Sequence, residues 1–426
     1  MLPLPADGSI AVIGPFATEP RFQGGGSSRV VPTRVDIPFD EIAALAPDAE
    51  LVAVEGYRLG GGSPQKLRDD AIAAARAADT AVVFIGLTAA DEAEGTDRTD
   101  IDLPEEQLSL LDAVSAVNPR TVAVVVHGGV VRLGEVARSV PAVVDGSILG
   151  QAGGGALADV LFGVVNPSGR LTETVPLRLG DSPAFLNYPG DQLHIRYGEG
   201  IFVGYRGYDE LGRDVVFPFG HGLSYTRFEY RDLRVSPEPD GIRVELDVAN
   251  VGSRDGREVV QLYVGKKTGV VRPPRELKGF ANVQIRAGGV ETVSVVIPRS
   301  DLAYWDVRLH RWVVEGGEYR IDAAASSRDI RLSDLIEVEA DDARRPFTDE
   351  STIGELLEDP AAAAVIGTMM RRRSGEGEGV ASEELGIDAN KSAMRIPIGR
   401  VRSLSGGQGM TRTELAGFLD ELNEQR

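Results

Sequence analysis

At 426 residues, with 42% hydrophobic and 26% charged side chains, the chain is long enough for two or three soluble domains, because a single core stops growing well below that size. A formal net charge of −20 excludes a nucleic-acid binder, which needs a basic face, and disfavours an anionic membrane surface. The absence of cysteine removes disulfides and thiolate chemistry, and four scattered histidines with no His-x-x-x-His pair give no zinc site.

The first residues, Met1 to Gly8, lack the charged start and apolar core of a secretory signal, and no apolar run approaches the ~20 residues that cross a bilayer. The expected location is cytoplasmic. From Ser9 to Gly163 short apolar runs alternate with amphipathic ones. Strands are predicted at Ile10–Gly14, Leu51–Val54, Thr80–Gly86, Thr121–Val126 and Ala142–Ile148. Helices are predicted at Phe39–Leu45, Pro64–Ala78, Glu105–Val117 and Gly153–Phe162. Buried strands alternating with helices predict a mostly parallel sheet covered on both faces, an αβα sandwich.

Residues 167–227 are rich in Gly, Pro and Tyr and read as a connector lying over this first domain, which is given the bounds 1–227. From Phe228 the period changes to two, as in Ile242–Val248 and Glu291–Ile297, with Val259–Val264 and Tyr319–Ala323 as further strands. Residues 228–339 therefore predict a β-sandwich of immunoglobulin or fibronectin type III kind, with Trp305 and Trp312 in core or edge packing. Residues 340–426 read as an acidic linker and a small helical appendage, with helices at Thr352–Arg373 and Arg412–Asn423 and a disordered stretch at Ser374–Gly379. The sequence Leu404-Ser-Gly-Gly-Gln408 resembles a transporter ATPase signature, but no phosphate loop accompanies it.

Three predicted strands end in glycine-containing loops that could share one crevice. Phe22-Gln-Gly-Gly-Gly-Ser-Ser28 follows the first, Asp91-Glu-Ala-Glu-Gly-Thr-Asp-Arg98 follows Gly86, and His127-Gly-Gly129 follows Val126. Reactive groups of open α/β sheets gather beyond the carboxyl ends of strands. A loop there with several carboxylates, one glycine and one arginine is a candidate acid/base site, although spacing alone also describes a solvated acidic loop. No dinucleotide fingerprint or phosphate loop is present, which leaves a nucleotide-dependent enzyme as a third and weaker reading and predicts no cofactor.

Together, a set of motifs in this order resembles the C-terminal part of glycoside hydrolase family 3, the β-glucosidase type. They are Ala11–Gly14, Arg21–Ser28, Glu94–Arg98 with Asp102–Pro104, Gly150–Gly154 running to Gly163, Asn166–Leu171, Tyr197–Arg206, Phe217–Tyr225 and Arg275–Phe280. The resemblance implies an αβα sandwich, a fibronectin type III-like domain and a C-terminal helical appendage. It also implies retaining hydrolysis of β-glycosides, with one carboxylate attacking the sugar and another protonating the leaving oxygen and then activating water.

The acid/base carries over onto Glu94, with Glu92 as the rival, and Gln23, Gly24, Gly25, Gly26 and Ser27 carry over as the segment bordering the aglycone side. A general acid needs a raised pKa, so Asp91, Glu92 and Asp97 are expected to lend like charge, while Arg98 is expected to pair with Asp97 and pin the loop. Two departures stand out. His127-Gly-Gly129 replaces an Asn-Gly-Ser-Pro type of turn, and Asp145-Gly-Ser147 replaces a stretch that often contains tryptophan.

In the family the nucleophile lies on an N-terminal (β/α)8 barrel of ~250 residues, which has no counterpart here. The nucleophile is thus expected outside this chain, on a truncated segment, which could also have carried a signal, or on a separate barrel chain. The expected partners are a β-glycoside (an oligosaccharide or an aryl or alkyl glycoside) and a separate barrel chain or further copies of this one, with no nucleic acid and no membrane. The isolated chain is expected to be inactive or nearly so. The alternative is a non-catalytic carbohydrate-binding or interaction module built from the same domains.

Overall fold

The structure, a computed structural model, describes residues 1–267, 270–343, 345–364, 394–400 and 411–424. Among them, no helix is long and apolar enough to cross a membrane. Backbone packing separates two units: residues 1–303 with 314–339, and residues 304–313 with 340–426.

The first unit opens with five parallel strands, β1 (Ser9–Ile13), β2 (Glu50–Val54), β3 (Thr80–Gly86), β4 (Thr121–Val126) and β5 (Ala142–Asp145), in the order β2-β1-β3-β4-β5. Five helices connect them or follow the last: α1 (Pro38–Leu45), α2 (Gln65–Ala77), α3 (Glu105–Val117), α4 (Gly134–Ser139) and α5 (Gly153–Phe162). Successive residues of β3 feed opposite faces. Val82 and Phe84 pack with Ile42 of α1 and Leu157 and Leu161 of α5, while Ala81, Val83 and Ile85 pack with Ala71 and Ala75 of α2 and Leu110 and Val114 of α3. All seven residues of β3 and all six of β4 are buried, which is why these runs are nearly continuous in apolar residues. The last strand stops at Asp145, short of the predicted Ile148. Gly146 turns to donate to Val125 O at 2.8 Å, and Ser147 takes a φ of 39°, outside extended geometry.

The chain leaves β1 for β2 on one side and returns to β3 on the other, so the strand order reverses between β1 and β3. Their pairing ends at Ile13–Val83, and the sheet opens beyond it. Side chains close the gap. The Tyr57 hydroxyl donates to Phe84 O at 2.9 Å, and the buried Gln107 amide brackets Gly86, accepting its N–H at 2.7 Å and donating to its carbonyl at 3.0 Å. Such a reversal is where open α/β sheets hold their ligands.

The connector carries a short ladder of β6 (Val175–Pro176) with β7 (Val215–Phe217) and the helix α6 (Tyr205–Glu210), and after it come two antiparallel sheets. One is ordered β11-β10-β15-β16, from Glu276–Ile285, Gly256–Gly265, Gly317–Ser326 and Asp329–Val338, and the other β12-β9-β8, from Val290–Pro298, Gly241–Asn250 and Phe228–Glu238. Alternate residues, among them Ile242, Val244, Leu246 and Val248, enter the core between them. This seven-strand sandwich has the fibronectin type III-like architecture predicted above. The connector is stitched to it: Arg170 pairs with Glu258 at 2.9 Å with both side chains buried, Gln261 donates to Gly220 O at 3.0 Å, and Tyr205 stacks on Phe219 and meets Tyr263 edge-on.

The second unit contains the hairpin of β13 (Tyr304–Asp306) and β14 (Arg311–Val313) together with α7 (Ile353–Glu358) and α8 (Arg412–Glu424). Trp305 and Trp312 are not core residues. They are 47% and 64% exposed and pack on each other across the hairpin, edge to face at 5.7 Å. The predicted long helix from Thr352 breaks at Asp359, which is extended because Pro360 follows it. The predictions for residues 365–379 and Leu404–Gln408 lie outside the described residues.

Candidate active site at the sheet reversal

The loops leaving β1, β3 and β4 meet because those strands are neighbours in the sheet, although the loops lie far apart in sequence. Their meeting point is Glu92. One oxygen, Oε1, accepts the Gly129 N–H at 2.8 Å, and Oε2 accepts the Gly128 N–H at 2.7 Å and pairs with Arg21. Arg98 stands 3.5 Å from Oε1 and donates to Val130 O at 2.6 Å. The Arg21 and Glu92 side chains are only 6% and 9% exposed. Burial opposes the charge on Glu92, but the N–H groups of Gly129 and Gly128 together with Arg21 outweigh it and hold the carboxyl below its usual range. Glu92 is therefore an ionised clamp that takes three hydrogen bonds, from Arg21, Gly128 and Gly129.

Two residues further on, Glu94 is exposed at the rim. Its Oε2 accepts the Ser27 N–H of the glycine-rich loop at 2.7 Å. Gly26 makes that approach possible, since its φ is +71° and a Cβ there would lie 2.8 Å from the Glu94 Cβ. The Ser27 backbone N–H, then its side chain, hold the Glu94 carboxyl below the ordinary range. This corrects the sequence expectation that neighbouring carboxylates raise it. Neither neighbour decides the Glu94 carboxyl: Glu92 is paired with Arg21 with Arg98 3.5 Å away, and Asp91 accepts from Thr88, backbone and side chain, at 2.7 and 2.8 Å. Arg98 pins the loop, but through Glu92 and Val130 rather than Asp97, and the Asp97 side chain instead takes the Tyr188 hydroxyl of the connector.

In the glycine-rich loop Gln23 closes its own turn, donating to Val30 O at 3.0 Å and accepting the Val30 N–H at 2.8 Å. Its amide is thus occupied, while Ser27 contributes backbone to Glu94. Gly24 and Gly25 lead into the short turn Gly26–Ser28, and a Cβ on Gly25 would stand 3.7 Å from Ala89 O, so this loop lies against the start of the acidic one.

Sequence reasoning did not assign roles to Arg21, His127 and Asp145. His127 is buried, with Nδ1 2.7 Å from Gly129 O and Nε2 3.1 Å from Asp145 Oδ1. The two places where the sequence departs from the family pattern are thus one hydrogen-bonded pair. A basic residue directly ahead of a glycine-rich turn was the available signal for Arg21.

Comparison with known proteins gives the same frame. Residues 1–225 match the glycosyl hydrolase family 3 C-terminal domain, and residues 258–327 a fibronectin type III-like domain. The chain is 44% identical over 379 residues to thermostable beta-glucosidase B of Acetivibrio thermocellus, covering 87% of this chain and 50% of that protein. It is 40% identical over 359 residues to exo-alpha-(1->6)-L-arabinopyranosidase of Bifidobacterium breve, covering 84% and 47%. The crystal structure of a Bifidobacterium adolescentis family 3 beta-glucosidase superposes with a TM-score of 0.81 at 39% identity, covering 86% of this chain and 54% of that one. The chain thus spans about half the length of the curated relatives it matches.

Proposed function

The chain belongs to glycosyl hydrolase family 3, and from that premise we propose that its αβα domain supplies the general acid/base of a retaining β-glycosidase, with Glu94 as that group. The observation that carries the choice is the contrast between two neighbouring glutamates. Glu92 is buried and spent on three loops, whereas Glu94 is exposed where the sheet reverses and is held by a single neighbouring residue, Ser27. A proton donor has to be reachable by the leaving oxygen.

Glu94 in this chain favours the carboxylate, the form that activates water in the second half of a retaining cycle. The first half needs the protonated form, hence a drier setting once a glycoside covers the rim. The nucleophilic carboxylate is assigned to the half of such proteins that this chain does not span, and that half also sets the choice of sugar. Glucosides and arabinosides both remain within the reading, following the names of the relatives.

The test is an aryl β-glucoside assay with the chain alone and with an added barrel half from a family 3 protein. The chain alone is expected to give no turnover. The mixture is expected to turn over and to lose about 10²- to 10⁴-fold with Glu94→Gln, the usual contribution of a positioned acid/base. Turnover by the chain alone, or an unaffected Glu94→Gln mixture, overturns the assignment. A non-catalytic binding module is the second reading, favoured by the lowered Glu94 pKa. It predicts that Glu94→Gln leaves sugar affinity unchanged in a chain that never gains activity.

A further inference from the structure

The His127 imidazole has an acceptor on each side. Nδ1 faces the Gly129 carbonyl at 2.7 Å, and Nε2 faces Asp145 Oδ1 at 3.1 Å. A carbonyl never donates, and an ionised carboxylate only accepts, so a neutral imidazole satisfies one neighbour and turns a lone pair on the other. We propose that His127 is a positioning residue of this site, held as a doubly protonated imidazolium between Gly129 and Asp145, and that this cation fixes the Gly128–Gly129 turn whose N–H groups hold Glu92 and, through Glu92, the loop bearing Glu94. The naming of Glu94 rests on the function proposed above, whereas the protonation and the turn do not.

The surrounding charges fit a cation. Asp145 reaches His127 from the end of β5, the charge of Glu92 on the acidic loop acts on it at longer range, and Glu173 of the connector lies in the same field, its carboxyl raised above the ordinary range chiefly by burial. The guanidiniums of Arg21 and Arg98 stand beside Glu92 and offset part of its charge, which leaves Asp145 as the anion in direct contact with the imidazole. Desolvation works against the charge on His127. The hydrogen bond and charge of Asp145, the Gly129 carbonyl and Glu92 outweigh it, and the imidazole titrates above its ordinary value.

The sign follows from linkage. A folded-state pKa above the unfolded one means that the cation's contribution is complete below about pH 6.5 and disappears as pH rises through the folded-state value. On that alkaline side one ring nitrogen loses its proton, the Gly129 carbonyl or Asp145 loses its donor, and the turn under Glu92 loosens.

Nitrogen-detected spectra of the imidazoles in the full chain test this, since there are four histidines to assign. Both ring nitrogens of His127 are expected in the protonated range at neutral pH. Across the His127 midpoint, amide-exchange protection of Gly128 and Gly129, corrected for the intrinsic pH effect, is expected to fall about tenfold, the loss of one charge-assisted hydrogen bond. Asp145→Asn is expected to lower the midpoint below the ordinary imidazole value and bring the loss of protection with it. His221, half-buried in the connector and stacked on Phe217, reports that the variant is folded.

A neutral His127 tautomer at neutral pH in the unaltered chain overturns the proposal, with no variant required. So does glycine protection that ignores the His127 titration, as a purely structural hydrogen bond would. None of these readouts needs a sugar or a barrel, so their failure leaves the Glu94 assignment standing, and failure of the glycosidase assay leaves His127 untouched.

Discussion

Glu92 and Glu94 are two residues apart, yet the fold gives them opposite surroundings. Removing the charge of Glu92 leaves Arg21, with its side chain only 6% exposed, without its counter-ion. Breaking one side of a buried pair costs about 3–5 kcal/mol. Glu92→Gln is therefore expected to lower the melting temperature and to free the acidic loop for proteolysis, while an unchanged melt would mean that the clamp contributes little. The same carboxyl gives a pH dependence. Its folded-state pKa is depressed, so its contribution is present above the unfolded value of about 4.3 and is lost as pH falls through the folded one. Glu94 sits in open solvent, and no comparable stability effect is expected from Glu94→Gln.

At the scale of elements, the gap at the reversal between β1 and β3 is closed by side chains from outside the sheet. Gln107→Leu leaves the Gly86 N–H and carbonyl buried without partners, at about 1–3 kcal/mol for each group. Urea unfolding is expected to show that loss in the midpoint, and a shift under about 0.5 kcal/mol would refute the bracket. The strands and helices were legible in the sequence because β3 and β4 are buried on both faces and α2 and α3 have apolar faces. The order of the strands was not, since nothing local says that β1 lies between β2 and β3. Local sequence placed three loops at strand ends, but the ion pair joining Arg21 to Glu92 spans 71 residues and depends on that order. Sequence proximity suggested Asp97 as the Arg98 partner, whereas the fold offers a buried carboxylate instead. The sign of the Glu94 shift failed for a like reason, because the deciding donor comes from Ser27, 67 residues away.

For the whole molecule, the αβα domain is tied to the β-sandwich through the connector and through Asn166 just ahead of it. Asn166 donates to Asp255 O at 2.9 Å and accepts from Ser224 and from the Tyr225 N–H, and the Ser327 N–H reaches Phe219 O at 2.9 Å. The Arg170–Glu258 pair sits among them with both side chains under 10% exposed. Residues 1–227 expressed by themselves would bare a guanidinium that has lost its anion and a row of aromatic faces that had been covered. That piece is expected to aggregate or to melt well below the full chain, and a soluble fragment of equal stability would show the seam to be dispensable. Where the sandwich begins is thus a poor place to cut. Anyone seeking the smallest portion able to present Glu94 will have to keep the β-sandwich with it.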